Sequence, residues 1–214
     1  AYKDLWSIIA TQYPERNFLI TGSPGTGKTF FIVFLLYLLV GMGKTVVFQK
    51  SPDKVTCYKF SNGTVESAPI RSMCIVLDNP QVYYLLDTME PQLTCNARKI
   101  VVSSPNRKRY KEYEKGRSVD TRIMPTWDLE ELETLHQNIH LNTNFTKLRE
   151  LYALWGGIPR YVVEKVDIES FQNLLEMALN AADFDKIIRS SHSPPNGWPT
   201  TYSIVSKSYA LTKS

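Results

Sequence analysis

Short apolar runs alternate with longer periodic stretches along the first hundred residues. The runs at 18–21 (FLIT), 44–50 (KTVVFQK), 73–78 (MCIVLD) and 99–104 (KIVVSS) are aliphatic or β-branched at their centres and are bounded by turn residues. That is the pattern of strands buried on both faces of a parallel sheet. A shorter run at 123–127 is interrupted by Pro125 and predicts an edge strand or a strand end. Residues 29–40 are apolar nearly all round and stop at Gly41 and Gly43, which predicts a helix covered on both sides. The runs at 55–60 and 64–70 flank Asn62-Gly63, a strong hairpin signal, and predict a β-hairpin insertion near 55–70. Residues 3–12 set Leu5, Trp6, Ile8 and Ile9 at helical spacing, and residues 81–89 are expected to form a helix carrying Asp87 and Glu90, neither of which is given a role.

The second half reads as helices. Asp128 stands at an N-cap with Glu131 at the capping-box position, opening a helix over 128–140. Residues 144–155 set Leu148, Leu151, Tyr152 and Trp155 on one face, and Gly156-Gly157 end that helix. Ile158-Pro159-Arg160 starts the next, with proline in its first turn, and 171–188 form one more amphipathic helix. Residues 190–214 lose periodicity among three prolines, a glycine and many Ser and Thr. The expected organisation is an α/β core over 1–127, a small helical lid over 128–188 and a loose tail or linker over 189–214.

Charge sharpens that division. The net charge is only +4, but residues 1–127 hold 17 Lys and Arg against 10 Asp and Glu, while 128–185 hold 4 against 11. A basic core followed by an acidic half predicts two structural units. An apolar fraction of 43% is that of a globular chain, which excludes disorder for most of the length. Cys57, Cys74 and Cys95 have no C-x-x-C spacing, which argues against a disulfide framework or a zinc site and reads them as core residues in a reducing compartment. The apolar run 30–42 is too short for a bilayer core of about 30 Å, so no membrane partner is expected. The chain opens on Ala1 and reads as an excerpt of a longer protein.

The candidate chemistry begins after the first strand. Gly22, Ser23, Pro24, Gly25, Thr26, Gly27, Lys28 and Thr29 form G-x-x-x-x-G-K-T between a strand and a helix, the context a phosphate-binding loop needs. The glycines let successive N–H groups turn inward as an anion nest, and the helix N-terminus adds partial positive charge. In such a loop Lys28 reaches the β- and γ-phosphates and Thr29 puts its hydroxyl on Mg²⁺. Trp6 or Tyr13 is placed either to stack on a base or to pack against the sheet edge.

Asp78 ends the expected strand 73–78 and is the candidate second Mg²⁺ ligand, although an aspartate there also caps a turn at Asn79-Pro80. Asn79 follows where many ATPases place glutamate, and an amide accepts no proton at neutral pH, so hydrolysis is expected to be slow or to borrow a base. Ser103 and Ser104 end the strand 99–104, where a γ-phosphate sensor would sit or a turn would form. Residues 98–122 carry nine Lys and Arg against three acids. There Arg107, Lys108 and Arg109 suit nucleic-acid phosphates, an arginine finger offered to a neighbouring subunit, or simply a solvated face. His136 and His140 are spaced i, i+4 without the further ligands of a metal site and read as structural. Arg160 at a helix N-terminus opposes the helix dipole, which points to an anionic partner.

Several strings in order, GSPGTGKT, MCIVLD, SSPNRKRYKEYEKG, MPTWDLEEL and LWGGIPRYV, resemble the P-loop NTPase domain shared by Crinkler effectors and the retrotransposon hot spot proteins, over about residues 17–165. The resemblance implies an ATPase of the additional-strand class with parallel strands ordered 5-1-4-3-2, a helical lid, and ATP and Mg²⁺ as ligands. It further implies secretion into a host cell and action in nuclei. Carried over by position, residues 22–29 bind phosphate and Mg²⁺, Asp78 is the Walker B acid, Ser104 a sensor and Arg160 a lid arginine. Two functions follow as expectations: Mg²⁺-dependent ATP hydrolysis, or a non-hydrolysing nucleotide switch that promotes self-association. Contact with nucleic acid through the basic run is a third.

Overall fold

The computed structural model describes residues 2–12, 16–91, 94–116, 118–139 and 144–181. Tyr13, His140 and the expected tail 189–214, with the last residues of the expected lid, lie outside them. Contacts divide the chain into two compact units, Ala1–Trp127 and Asp128–Ser214.

The first unit is built on a seven-stranded sheet. Its strands are β1 (Asn17–Thr21), β2 (Val46–Lys50), β3 (Thr56–Ser61), β4 (Thr64–Pro69), β5 (Tyr83–Asp87), β6 (Arg98–Val102) and β7 (Val119–Ile123), in the order β4-β3-β2-β5-β6-β1-β7. β2, β5, β6, β1 and β7 pair in parallel, and β3 and β4 extend the β2 edge antiparallel. Counted among the parallel strands alone, the order is 5-1-4-3-2. Asn62 (φ 49°) and Gly63 (φ 74°) turn the chain between β3 and β4, both in the left-handed region that suits a tight hairpin.

Alternation along the strands makes three layers. Phe18, Ile20, Val46, Leu85, Ile100 and Val102 face one way and pack on Phe31, Ile32, Leu35 and Leu39 of α2 (Lys28–Gly41). Leu19, Val47, Tyr84, Leu86 and Val101 face the other way and pack on Ile70, Met73, Leu77 and Tyr110. Burying each such side chain contributes about 1.5–3 kcal/mol, which is why these strands read as unbroken apolar runs. At the N-terminus α1 (Tyr2–Ser7) leads into a π-helical turn, Ile8–Gln12. Arg98 of β6, 7% exposed, ties that segment to the sheet by donating to the Ile9 carbonyl, and it donates also to the Arg16 carbonyl and to the Tyr83 hydroxyl on β5.

Four expectations are corrected here. Residues 73–78 are not a strand: a 3₁₀ turn, Ile70–Met73, runs into α3 (Cys74–Leu77). Its buried residues are Ile70, Met73 and Leu77, spaced i, i+3, i+7, while Ile75 is 88% exposed. That is helical periodicity, and a buried strand would not expose its middle. The third parallel strand is β5, within the stretch expected to be helical. The fifth is β7, ahead of the expected 123–127. Of the cysteines only Cys57 is buried, and Cys74 is exposed.

The second unit contains α5 (Leu129–Asn138), α6 (Phe145–Trp155), a π-helical turn at Arg160–Glu164 and α7 (Glu169–Asn180); α4 (Lys111–Glu114) belongs to the first. Asp128 Oδ1 accepts from the Glu131 N–H at 2.8 Å and Glu131 Oε2 accepts from the Asp128 N–H at 3.1 Å, a complete capping box. Asp128→Ala is expected to destabilise this unit by about 1 kcal/mol, the usual cost of a lost cap, read as a lower urea midpoint. Trp155 stacks on Tyr161 at 4.0 Å and donates to Gln172 Oε1, whose amide donates back to the carbonyls of Tyr161 and Lys165. No described helix is long and apolar enough to cross a membrane.

Candidate functional site

The loop between β1 and α2 turns through Gly22 (φ 147°), Gly25 (φ 89°) and Gly27 (φ 94°). Gly27 is the N-cap of α2, and no side chain caps the helix. Lys28, 9% exposed, lies over the loop and donates from Nζ to the carbonyls of Gly22 and Ser23, both at 2.7 Å. Thr26 is buried and donates from its hydroxyl to the Ser23 carbonyl at 2.9 Å. From outside, Trp127 Nε1 donates to the Thr26 carbonyl at 2.9 Å and the Tyr2 hydroxyl to the Gly27 carbonyl at 2.6 Å.

Gly22 has a steric requirement as well as a conformational one. A Cβ there would lie 2.7 Å from the Met124 carbonyl oxygen, and the Met124 N–H already donates to the Thr21 carbonyl at 2.7 Å. Gly22→Ala is therefore expected to cost about 2–4 kcal/mol from strain and overpacking together, measured by urea unfolding. A midpoint equal to the parent's would contradict this close approach.

The carboxylate beside the loop is Asp87, which ends β5 and is 1% exposed. Its Oδ1 accepts from the hydroxyls of Thr29 at 3.3 Å and Thr88 at 2.9 Å, and Lys50 Nζ stands 3.9 Å from Oδ2. Asp78, the sequence candidate, is exposed at the end of α3 and accepts from Asn96 Nδ2 at 2.7 Å. Asn79 is also exposed and accepts from the Gln81 N–H, a turn-making role. The residue that follows the buried acid is Thr88 (φ 63°), which carries no carboxylate. Glu90, two residues on, accepts from the Tyr113 N–H at 3.4 Å. Burial pushes the Tyr113 phenol well above its ordinary pKa, and its hydroxyl donates to the carbonyls of Phe18 and Lys99.

Two hydroxyls at the same ends of the strands have no hydrogen-bond partner: Thr21 Oγ1, ending β1, and Ser103 Oγ, just after β6. Ser103 is 2% exposed, whereas Ser104 beside it is half-buried. Ser103 is thus the buried polar group at this strand end, and its N–H donates to Ile20. A buried, unsatisfied hydroxyl is uncommon.

The basic run is partly consumed by the fold. Arg98 is buried, Lys99 donates to the Cys95 carbonyl at 2.6 Å, and Arg122 pairs with Asp120 at 2.7 Å. Arg107, Lys108 and Arg109 form an exposed 3₁₀ turn capped by Asn106, with Arg107 paired to Glu114 at 3.0 Å. In the second unit Arg160 is exposed at the first residue of its π-helical turn. His136 packs on Phe145, ring centroids 4.6 Å apart, and among the described residues no cluster of three His, Cys, Asp or Glu suits a metal.

These residues fit a nucleoside triphosphate with Mg²⁺. The loop has a glycine backbone tightly packed from behind, a lysine over its mouth and an uncapped helix N-terminus. The hydroxyl of Thr29 and the carboxylate of Asp87 form a hard oxygen pair of the kind Mg²⁺ takes.

No family model matches the chain. It is 26% identical over 191 residues to Crinkler effector protein 15 of Phytophthora infestans, covering 79% of this chain and 28% of that protein. To Crinkler effector protein 16 of the same organism it is 26% identical over 205 residues, covering 85% and 30%. The chain thus spans less than a third of the length of these curated relatives. The AMPPCP-bound structure of DnaA from Aquifex aeolicus superposes with a TM-score of 0.50 at 12% identity, over 92% of this chain and 68% of that one. The Thermotoga maritima RuvB Holliday junction branch migration motor matches at 12% identity, over 89% and 67%, with a TM-score of 0.43. The chain is a three-layer α/β domain with a P-loop fold, similar in sequence to Crinkler effector proteins of Phytophthora infestans.

Proposed function

We propose that the chain binds ATP through residues 22–29, holds Mg²⁺ between Thr29 and Asp87, and hydrolyses the nucleotide slowly. The observation that carries this reading is the meeting of Thr29, in the first turn of α2, with the buried carboxylate of Asp87 at 3.3 Å. A fold of the same type in DnaA was solved with the triphosphate analogue AMPPCP, which supports it. Loop N–H groups and Lys28 would take the β- and γ-phosphates, and the N-terminus of α2 would add its dipole. Mg²⁺ bound there would neutralise phosphate charge and polarise the phosphate oxygens. Ser103, or Ser104 next to it, is the sensor candidate at the end of β6, and the resemblance offers Arg160 as a further phosphate contact.

Thr88 favours a second reading. With no carboxylate directly after Asp87, the usual residue that takes a proton from water is missing, and a nucleotide-gated switch or scaffold fits a chain that binds without turnover. Phosphate release from ATP with Mg²⁺, measured beside an equilibrium titration of the same sample, separates the two. Turnover supports hydrolysis, tight binding without turnover supports the switch, and no binding overturns both.

The name of the relatives carries the proposal that the whole protein acts inside a host cell, and the resemblance adds the nucleus. Nucleic-acid contact rests on the exposed turn at 107–109. Reversing Arg107, Lys108 and Arg109 to Glu is expected to weaken duplex binding and flatten its salt dependence by about 0.9 in log–log slope per lost phosphate contact. Unchanged binding would remove that role.

A further inference from the structure

We propose that Tyr2 and Trp127 are positioning residues of the phosphate loop, holding the carbonyls of Thr26 and Gly27 outward so that the N–H groups of Gly27 and Lys28 face the triphosphate. This rests on the loop binding triphosphate as proposed above. The peptide unit is planar and trans, so its C=O and N–H point in opposite directions. Trp127 Nε1 fixes the Thr26 carbonyl and with it the N–H of Gly27. The Tyr2 hydroxyl fixes the Gly27 carbonyl and with it the N–H of Lys28. That second carbonyl also accepts the first helical bond of α2, from the Phe31 N–H at 2.9 Å, so it is held on two sides.

The two donors are themselves braced. Tyr2 meets Trp127 edge-on with centroids 5.7 Å apart, and it packs on Phe31 and Phe34 of α2 at 5.2 and 5.8 Å. Burial pushes the Tyr2 phenol well above its ordinary pKa, so it stays a protonated donor at ordinary pH. A Cβ on Gly27 would lie 2.5 Å from the Tyr2 hydroxyl and 3.8 Å from the Trp127 ring. Gly27 is thus favoured by the close approach of the braced Tyr2 hydroxyl as well as by its φ. Trp127 closes a strap that begins at Met124, against Gly22, and ends one residue before the Asp128 cap of α5. Both ends of the phosphate loop therefore lie against the segment that leads into the second unit.

The test uses Tyr2→Phe, which keeps the ring and removes the hydroxyl donor, and Trp127→Phe, which keeps an aromatic side chain of smaller size and removes the indole donor. The parent, each variant, the pair together and Lys28→Ala are titrated with Mg-ATP and with inorganic tripolyphosphate, which has no base. Each variant is expected to raise Kd three- to tenfold for both ligands, the range of one hydrogen bond, while unliganded thermal midpoints stay within about 5 °C of the parent. A purely structural brace would lower the midpoint and leave the affinity of the folded fraction unchanged, which overturns the proposal. If a variant does not fold, the parent's four indole protons decide. One of them, besides the Trp155 proton already held by Gln172, is expected to be protected from exchange and to shift along the tripolyphosphate titration; four indifferent protons overturn the proposal. A parent that binds no triphosphate, or a Lys28→Ala chain that binds as tightly, removes the function and this inference together. Binding lost in Lys28→Ala but intact in both phenylalanine variants removes the inference alone.

Discussion

Lys28→Ala is expected to raise the Kd for Mg-ATP by some 30- to 150-fold and to take phosphate release below detection. The estimate is that of one hydrogen-bonded charge lost from a polyanion, about 2–3 kcal/mol. Lys28 is seated for such a contact: it is 9% exposed, opens α2, and carries its ammonium across the loop to the carbonyls of Gly22 and Ser23 at 2.7 Å. A triphosphate in the loop offers stronger acceptors than two neutral carbonyls, so the lysine gains by exchanging them. Alanine removes the charge without touching the glycine backbone. The control is tripolyphosphate: if the lost energy lies in the phosphates, both ligands weaken by the same factor. A loss confined to ATP would place Lys28 near the base instead. Undiminished binding of both would end the phosphate-loop reading.

The loop was legible because its chemistry is local. Glycines at fixed spacing, a lysine and a threonine, set between an apolar run and an apolar helix, specify a backbone path that few other sequences need. The hairpin was legible for the same reason, since Asn62 and Gly63 adopt the positive φ values that their residue types tolerate. The doubly buried β1 and β2 announce themselves as unbroken apolar runs.

The third strand was not legible, because two apolar runs compete for one place. MCIVLD has the composition of a buried strand ending in an acid, yet Ile70, Met73 and Leu77 carry a helical period that the run itself conceals. VYYLLD, immediately after Asn79-Pro80 and Gln81, looks like the continuation of a helix starting at that proline. Only pairing resolves it: β5 finds β2 on one side and β6 on the other. Tyr2 and Trp127 were hidden for another reason. Each reaches the loop across 25 and 101 residues of chain respectively, and a lone tyrosine or tryptophan carries no mark of the carbonyl it will meet.

That misplacement yields a sharp expectation: Asp87→Asn abolishes the Mg²⁺ dependence of nucleotide binding and lowers phosphate release by about 100-fold or more, while Asp78→Ala leaves both within about twofold. A bound metal supplies several kcal/mol of charge stabilisation, and two orders of magnitude correspond to roughly 2.7 kcal/mol. Asp87 is 1% exposed, shares Oδ1 with the hydroxyls of Thr29 and Thr88, and stands level with Lys50 and Val102 in the sheet register. Asparagine keeps the shape and one acceptor oxygen but removes the charge that a divalent cation requires. Asp78 is exposed on α3, and losing its bond to Asn96 is a surface change expected to stay within about 0.5 kcal/mol of stability. The readout is the ratio of ATP affinities with Mg²⁺ and with chelator. It should be well above one for the parent and Asp78→Ala, and close to one for Asp87→Asn. The opposite result, with Asp78 carrying the metal dependence and Asp87 dispensable, would mean that the strand next to β2 is not the one that delivers the acid to the loop.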